Sequence, residues 1–201
     1  MKIIGITGGS GVGKTTVLGE LEQFDTHIID CDAVYHRLLE SDAGLLGELR
    51  DRFGQTVFRD DGSLDRKALG GVVFRDANAL ADLNAITHKY VDAEVDGQIE
   101  AARRAGRKAV AVDAIALLEG GLRDKCDLTV AVTAPEEARV KRLMAREGIS
   151  EEYARTRIAA QKPNDYFAQN CDYVFYNDGD DPDACRAKAR ALFQEILKEE
   201  L

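Results

Sequence analysis

The sequence predicts an α/β fold of three layers, helices on both sides of a five-stranded parallel sheet. Three observations carry that expectation. Short apolar runs of strand length recur at residues 3–6, 27–30, 108–113, 127–132 and 172–176. Stretches with apolar residues at helical spacing separate them, so each return to the sheet passes through helix. The first run enters a glycine-rich loop and then a helix in which Val17, Leu18, Leu21 and Phe24 share a face. That order of strand, loop and helix belongs to parallel sheets.

Residues 3–6 read as a short buried strand. The loop Gly8-Gly9-Ser10-Gly11-Val12-Gly13-Lys14-Thr15-Thr16 fits G-x-x-x-x-G-K-[ST], the phosphate-binding loop of P-loop NTPases. Its backbone N–H groups and the positive end of the following helix converge on one point, which suits a triphosphate. Gly9, Ser10, Gly11, Val12, Gly13, Lys14, Thr15 and Thr16 are therefore the expected nucleotide-binding residues. Lys14 can reach the β- and γ-phosphates, and the Thr15 hydroxyl can ligate Mg²⁺.

Residues 27–30 form the second expected strand and lead into Cys31-Asp32. Functional groups in parallel sheets gather beyond the carboxyl ends of strands, which puts Asp32 on the side of the glycine loop. Asp30 and Asp32 are also suited to capping the helix that starts near Ala33. Position alone leaves the choice between cap and working carboxylate open. From there to about Gly106 the sequence offers helical pieces at 33–39, 44–53, 65–74 and 77–104, and no convincing strands. Ser63 or Asp65 can cap the third piece after the turn Asp60-Asp61-Gly62-Ser63. His88, by spacing, is a packed or exposed helix residue.

The third strand, 108–113, ends in Asp113, the arrangement of a Walker-B acid whose carboxylate approaches Mg²⁺ directly or through water. One acid, Glu119, follows in the next loop. The fourth strand ends at Ala134-Pro135, with the proline expected in the first turn of the next helix. That helix carries Arg139, Lys141, Arg142 and Arg146. Arg142 and Arg146, four apart, share a face. They make either a solvated surface or a clamp on transferring phosphate. Residues 150–161 read as a helix capped by Ser150, broken by Lys162-Pro163-Asn164-Asp165. The fifth strand, a turn at 177–180 and a helix over 184–197 complete the chain.

Composition narrows the class. Of 201 residues, 45% are hydrophobic and 31% charged, as in ordinary globular proteins. A net charge of −9 argues against a broad nucleic-acid-binding face. No apolar run is of membrane-spanning length, and the loop glycines interrupt the N-terminal hydrophobic stretch before it could serve as a signal peptide. The expectation is a cytoplasmic protein with no membrane or nucleic-acid partner, a monomer or weak homo-oligomer. Cys31, Cys126, Cys171 and Cys185 form no C-x-x-C pair, so reduced, structural thiols are expected.

Several segments together resemble the dephospho-CoA kinase family. They are the opening Gly5-Ile6-Thr7-Gly8-Gly9 with its phosphate loop, Ile29-Asp30-Cys31-Asp32, Gly62-Ser63-Leu64-Asp65-Arg66 through Leu69, and Leu83-Asn84-Ala85-Ile86-Thr87-His88. Leu117-Leu118-Glu119, Arg142-Leu143-Met144-Ala145-Arg146, Gln161 and Asn177-Asp178-Gly179 complete the set. The likeness spans nearly the whole chain, and the two central segments are more specific than the loop. Lys89 stands where the family often has proline, Arg139 where it commonly has glutamine, and Cys31 where alanine is usual. Ile115-Ala116-Leu117-Leu118-Glu119 replaces a frequent P-L-L-F-E.

The resemblance implies transfer of the ATP γ-phosphoryl to the ribose 3′-hydroxyl of 3′-dephospho-CoA, with Mg²⁺. It implies that Asp32 orients or deprotonates the acceptor, Lys14 bridges the phosphates and Arg142 is a lid arginine stabilising transition-state charge. Arg66, His88, Glu119 and Arg146 become substrate-contact candidates, and Thr15 and Asp113 candidates for the metal. The implied organisation is a nucleotide-binding core of 1–33, 107–138 and 169–201, a helical substrate domain of 34–106 and a lid of 139–168. A P-loop kinase of nucleosides or nucleotides is the nearest rival; a nucleotide-dependent switch would need a partner surface and a nucleotide-sensing loop, and the sequence shows neither a base-reading N-K-x-D motif nor an extended interaction tail.

Overall fold

The computed structural model describes residues 1–179 and 181–198; Asp180 of the expected turn lies outside the described residues. In chain order the elements begin with β1 (Lys2–Thr7), α1 (Lys14–Leu21), β2 (Thr26–Asp30), α2 (Cys31–Ser41) and α3 (Ala43–Phe53). Then come α4 (Arg66–Val73), α5 (Ala77–Arg104), β3 (Ala109–Asp113) and β4 (Leu128–Thr133). The chain continues through α6 (Glu136–Glu147), α7 (Glu151–Ala159), α8 (Asn164–Asn170), β5 (Tyr173–Tyr176) and α9 (Pro182–Lys198). It divides into two compact units, residues 1–29 with 101–201, and residues 30–100.

The first unit holds the sheet, in the order β2-β3-β1-β4-β5. It is the expected five-stranded parallel sheet with flanking helices. β1 is central, between β3 and β4, and the connections reverse direction across it. Such a reversal opens a crevice at the carboxyl ends of the strands. Ile4 and Ile6 of β1 face a core shared with Val17 and Leu21 of α1 and with Ala189, Phe193 and Ile196 of α9. Gly5, between them, faces the opposite side, against Leu117, Cys126 and Thr129. Burial on both faces explains why these strands read as continuous apolar runs.

Beside the sheet, α6 and α7 pack on a small core of their own, Val140, Leu143, Ala154 and Ile158. Gly148, at φ +66°, turns the chain between them. Ser150 caps α7 by accepting a hydrogen bond from Tyr153 N–H at 3.3 Å.

In the second unit Asp42 caps α3, and Asp65 caps α4 by accepting from the N–H groups of Lys67 and Ala68. Phe58 and Leu64 form an isolated antiparallel bridge across the intervening turn. All four cysteines are free, and burial pushes the Cys126 thiol up to about 12. Among the described residues no helix is long and apolar enough to cross a membrane.

Two local expectations change. Pro135 occupies the N-cap of α6 and not its first turn; its missing N–H is harmless there because α6 begins one residue later. After the break at Lys162-Pro163 the chain forms α8, a helix not foreseen as an element. Seven residues are too few for apolar periodicity to show, and α8 is held by burying Phe167 and by Asn164 Nδ2 donating to Ala134 O at 2.8 Å.

Candidate active site

The loop after β1 folds around α1's N terminus. Gly13 is the N-cap residue, at φ +96° and ψ +23°, and no side chain caps the helix. The first N–H groups of α1 thus stay open to an anion. Gly13 is required for space as well as conformation: a Cβ there would lie 2.4 Å from Asn177 Nδ2. That amide donates to Val12 O at 2.8 Å and ties the loop to the end of β5.

Parallel pairing of β1 with β3 sets Ile6 opposite Asp113. The last residue of β3 therefore stands beside the loop. Lys14 Nζ donates to Asp113 Oδ1 at 2.7 Å, with both side chains about one-sixth exposed. A polyphosphate entering the cradle would compete for this lysine. Thr15, next along, is exposed. Its hydroxyl and the Asp113 carboxylate are hard oxygen donors, the kind Mg²⁺ takes beside phosphate and water, so the residues fit the expected ion. Among the described residues no three His, Cys, Asp or Glu side chains gather into a ligand set.

Two side chains from α6 reach the loop. Arg142 Nη1 donates to Gly11 O and Val12 O, both at 3.3 Å, and Nη2 to Gly179 O at 2.7 Å. It lines a cavity of about 290 Å³ with Gly13, Thr16, Asn177 and Gly179. Arg139 is buried below the loop: Nε donates to Ser10 O and Nη2 to Gln161 Oε1, each at 2.9 Å. Gln161 in turn holds Ser10 through its N–H and its hydroxyl.

Arg139, Gln161 and Asn177 were not among the expected site residues. Spacing gave no signal for contacts across more than a hundred residues, and the family likeness of Gln161 and Asn177 was the only pointer. Arg146, expected near Arg142, turns instead to Glu147 at 2.6 Å and is 60% exposed. Glu119 is exposed and faces the Tyr166 hydroxyl; burial first, then this carboxylate, holds the Tyr166 phenol above its usual range.

In the second unit the open choice at α2 resolves by geometry. Asp30 is the cap, its carboxylate accepting Ala33 N–H at 2.9 Å. Asp32 lies in the first turn, exposed, with no hydrogen bond to its carboxylate among the described residues. Arg66 Nη2 meets His36 Nδ1 at 2.8 Å, at the rim of an apolar cavity of about 140 Å³ with Tyr35, Leu39, Leu69 and Phe74. Burial pushes the Tyr35 phenol up, and Arg66 pulls it partly back. His88 is exposed on α5.

Comparison with known proteins supplies the chemistry. The model of a family described as dephospho-CoA kinase matches residues 2–183. A dephospho-CoA kinase of Moorella thermoacetica is 40% identical over 199 residues, covering 98% of this chain and 93% of that protein. One of Symbiobacterium thermophilum is 40% identical over 194 residues, 96% of this chain and 81% of that one. A solved structure from Thermus thermophilus, 32% identical, superposes with a TM-score of 0.80 over 100% of this chain and 98% of its own. Shikimate kinase of Bacteroides thetaiotaomicron, 16% identical with a TM-score of 0.59 over 98% of each chain, shares the fold.

Proposed function

We infer that this chain, which belongs to the dephospho-CoA kinase family, phosphorylates the ribose 3′-hydroxyl of 3′-dephospho-CoA with ATP, giving CoA and ADP. The observation that carries the inference is the family match over residues 2–183, joined to an uncapped helix N terminus with Lys14 at its first position. The reaction is the last step of coenzyme A biosynthesis, and the proposed location is the cytoplasm.

The ATP polyphosphate lies in the loop of residues Gly9 to Thr16, on the N–H groups that Gln161 and Gly13 do not take, with Lys14 moving from Asp113 to the β- and γ-phosphates. The nucleoside lies in the cavity between Arg142 and Gly179. Mg²⁺, when bound, neutralises phosphate charge, and Thr15 and Asp113 are the residues that would hold it directly or through water. The acceptor belongs to the unit of residues 30–100, where an apolar cavity with Arg66 and His36 at its rim suits a ligand that joins an apolar arm to phosphates. His88, Glu119 and Arg146 remain proposed acceptor contacts.

Phosphoryl transfer asks the protein mainly for positioning and charge. The 3′-oxygen attacks the γ-phosphorus in line, the bond from that phosphorus to the β,γ-bridging oxygen breaks, and ADP leaves. Asp32 aligns the hydroxyl and takes its proton late in the transfer, since carboxylates as a class are too weak as bases to strip an alcohol beforehand. Residues 139–168 act as the lid that excludes water from this step.

ADP release from ATP tests the proposal, with dephospho-CoA offered beside a panel of nucleosides and nucleoside monophosphates. Dephospho-CoA alone is expected to accelerate release. Acceleration by a nucleoside and not by dephospho-CoA would contradict the acceptor assignment.

A further inference from the structure

Among the described residues the charge on Arg139 has no ion-pair partner. The residue is 3% exposed, and a buried guanidinium without an anion is costly. Its hydrogen bonds go to two neutral oxygens, Ser10 O and Gln161 Oε1. Among the described residues no carboxylate lies within ion-pair distance of it. Glu136, the acid on its own helix that it feels most, is taken by Arg155 at 3.2 Å.

The neighbours of Arg139 do one thing, which is to hold Ser10. Gln161 Oε1 accepts Ser10 N–H at 2.9 Å, and Gln161 Nε2 donates to Ser10 Oγ at 2.8 Å. Arg139 takes Ser10 O. All three polar atoms of one loop residue are thus gripped by the two ends of the α6–α7 hairpin. The guanidinium also abuts the loop itself: a Cβ on Gly9 would come 2.4 Å from Arg139 Nη2. A positive charge is therefore fixed against the backbone of the anion cradle, in surroundings too dry to screen it well.

We propose that Arg139 is a positioning residue of the phosphate loop, and that the nucleotide's polyphosphate is the counter-ion of its buried charge. The proposal rests on the nucleotide reading above and adds to it a residue outside the loop motif. The grip on Ser10 gives the loop its shape before nucleotide arrives. The charge then favours ligands with more phosphates. A role confined to packing would treat every nucleotide alike.

The test is calorimetric titration of ATP, AMP and inorganic tripolyphosphate into the wild-type chain and three variants. Arg139→Gln removes the charge and places there the residue type common in the family. It is expected to weaken ATP and tripolyphosphate about tenfold while AMP changes less than about twofold. Arg139→Lys keeps the charge and is expected to recover most of the ATP-to-AMP affinity ratio. Gln161→Glu keeps an acceptor for both Arg139 and Ser10 N–H but supplies a protein carboxylate. It is expected to weaken ATP and to raise the nucleotide-free thermal midpoint, and it carries the test should Arg139→Gln fail to fold. An unchanged ATP-to-AMP ratio in both Arg139→Gln and Gln161→Glu overturns the proposal. Turnover of dephospho-CoA by the wild type in the same preparation separates that result from failure of the kinase reading, which would show as no ATP binding or no turnover at all.

Discussion

Asp30 commits its carboxylate to Ala33 N–H at 2.9 Å, while Asp32, within the first turn of α2, keeps its own in solvent. The same residue type two positions apart is thus divided between holding a helix end and remaining available for chemistry. Asp32→Asn is expected to leave unfolding unchanged and to lower turnover by about a hundredfold or more, the scale of general acid–base contributions. Asp30→Asn, which keeps a capping oxygen, is expected to lower turnover far less. Steady-state kinetics with a thermal melt of each variant decide between them, and near-normal turnover in Asp32→Asn would return that residue to a structural role. Arg142 was expected at the transferring phosphoryl, and its guanidinium lies on Gly179 O and on loop carbonyls beside the cavity proposed for the nucleoside. Arg142→Ala is therefore expected to raise the KM for ATP about tenfold in addition to lowering kcat. A kcat loss with KM unchanged would confine Arg142 to the transition state.

At the scale of elements, the α6–α7 hairpin sets two kinds of interaction side by side. Arg155 spans Glu136, Glu137 and Glu151 on its surface, yet the arginine is 38% exposed and its partners more so. Leu143, beneath, is fully buried. Leu143→Ala is expected to cost about 2–5 kcal/mol in urea unfolding, and Arg155→Ala far less. The reverse ranking would mean that the surface ion pairs hold the hairpin. The β4–β5 edge has a pH-sensitive tie. Asp172 Oδ2 accepts from Thr129 N–H at 2.7 Å and from the Thr129 hydroxyl at 2.8 Å. Burial pushes this carboxyl up, but those bonds and Arg123 outweigh it and hold it below the ordinary 3.8. A depressed folded value adds stability above the unfolded pKa, and that stability is lost as pH falls through the folded one. Acid unfolding followed below about pH 4 is expected to show a shallower slope in Asp172→Asn than in the wild type. An identical slope would remove Asp172 from the acid response.

The same scale shows what could be read in advance. The five strands, the phosphate loop and the full bounds of α5 were legible because apolar runs, glycines and caps are local signals. α8 was not, being too short for a period and held by one buried ring and a bond to Ala134. Arg139 looked like one more charge on a cationic helix, since nothing local distinguishes it from Lys141. Its burial follows from where the hairpin meets Ser10, a contact across 129 residues. Asn177 reaches Val12 across 165 residues. Only the fold creates such neighbours, so the clasp on the loop had to be seen in three dimensions.

For the molecule as a whole, an acidic chain carries a small cationic cradle. With net charge −9 the long-range field repels an anionic nucleotide, and the proposed source of attraction at contact is the local N–H groups, Lys14 and the two α6 arginines. The family match and the sheet around that cradle lead to one claim: the γ-phosphoryl of ATP ends on the ribose 3′-oxygen of dephospho-CoA. The most direct measurement is transfer from ATP labelled in its γ-phosphate, with the label located in the isolated product. The account predicts CoA labelled on the 3′-phosphate, formed in step with ADP. Label found only in inorganic phosphate, or on a nucleoside acceptor while dephospho-CoA stays unlabelled, would contradict it.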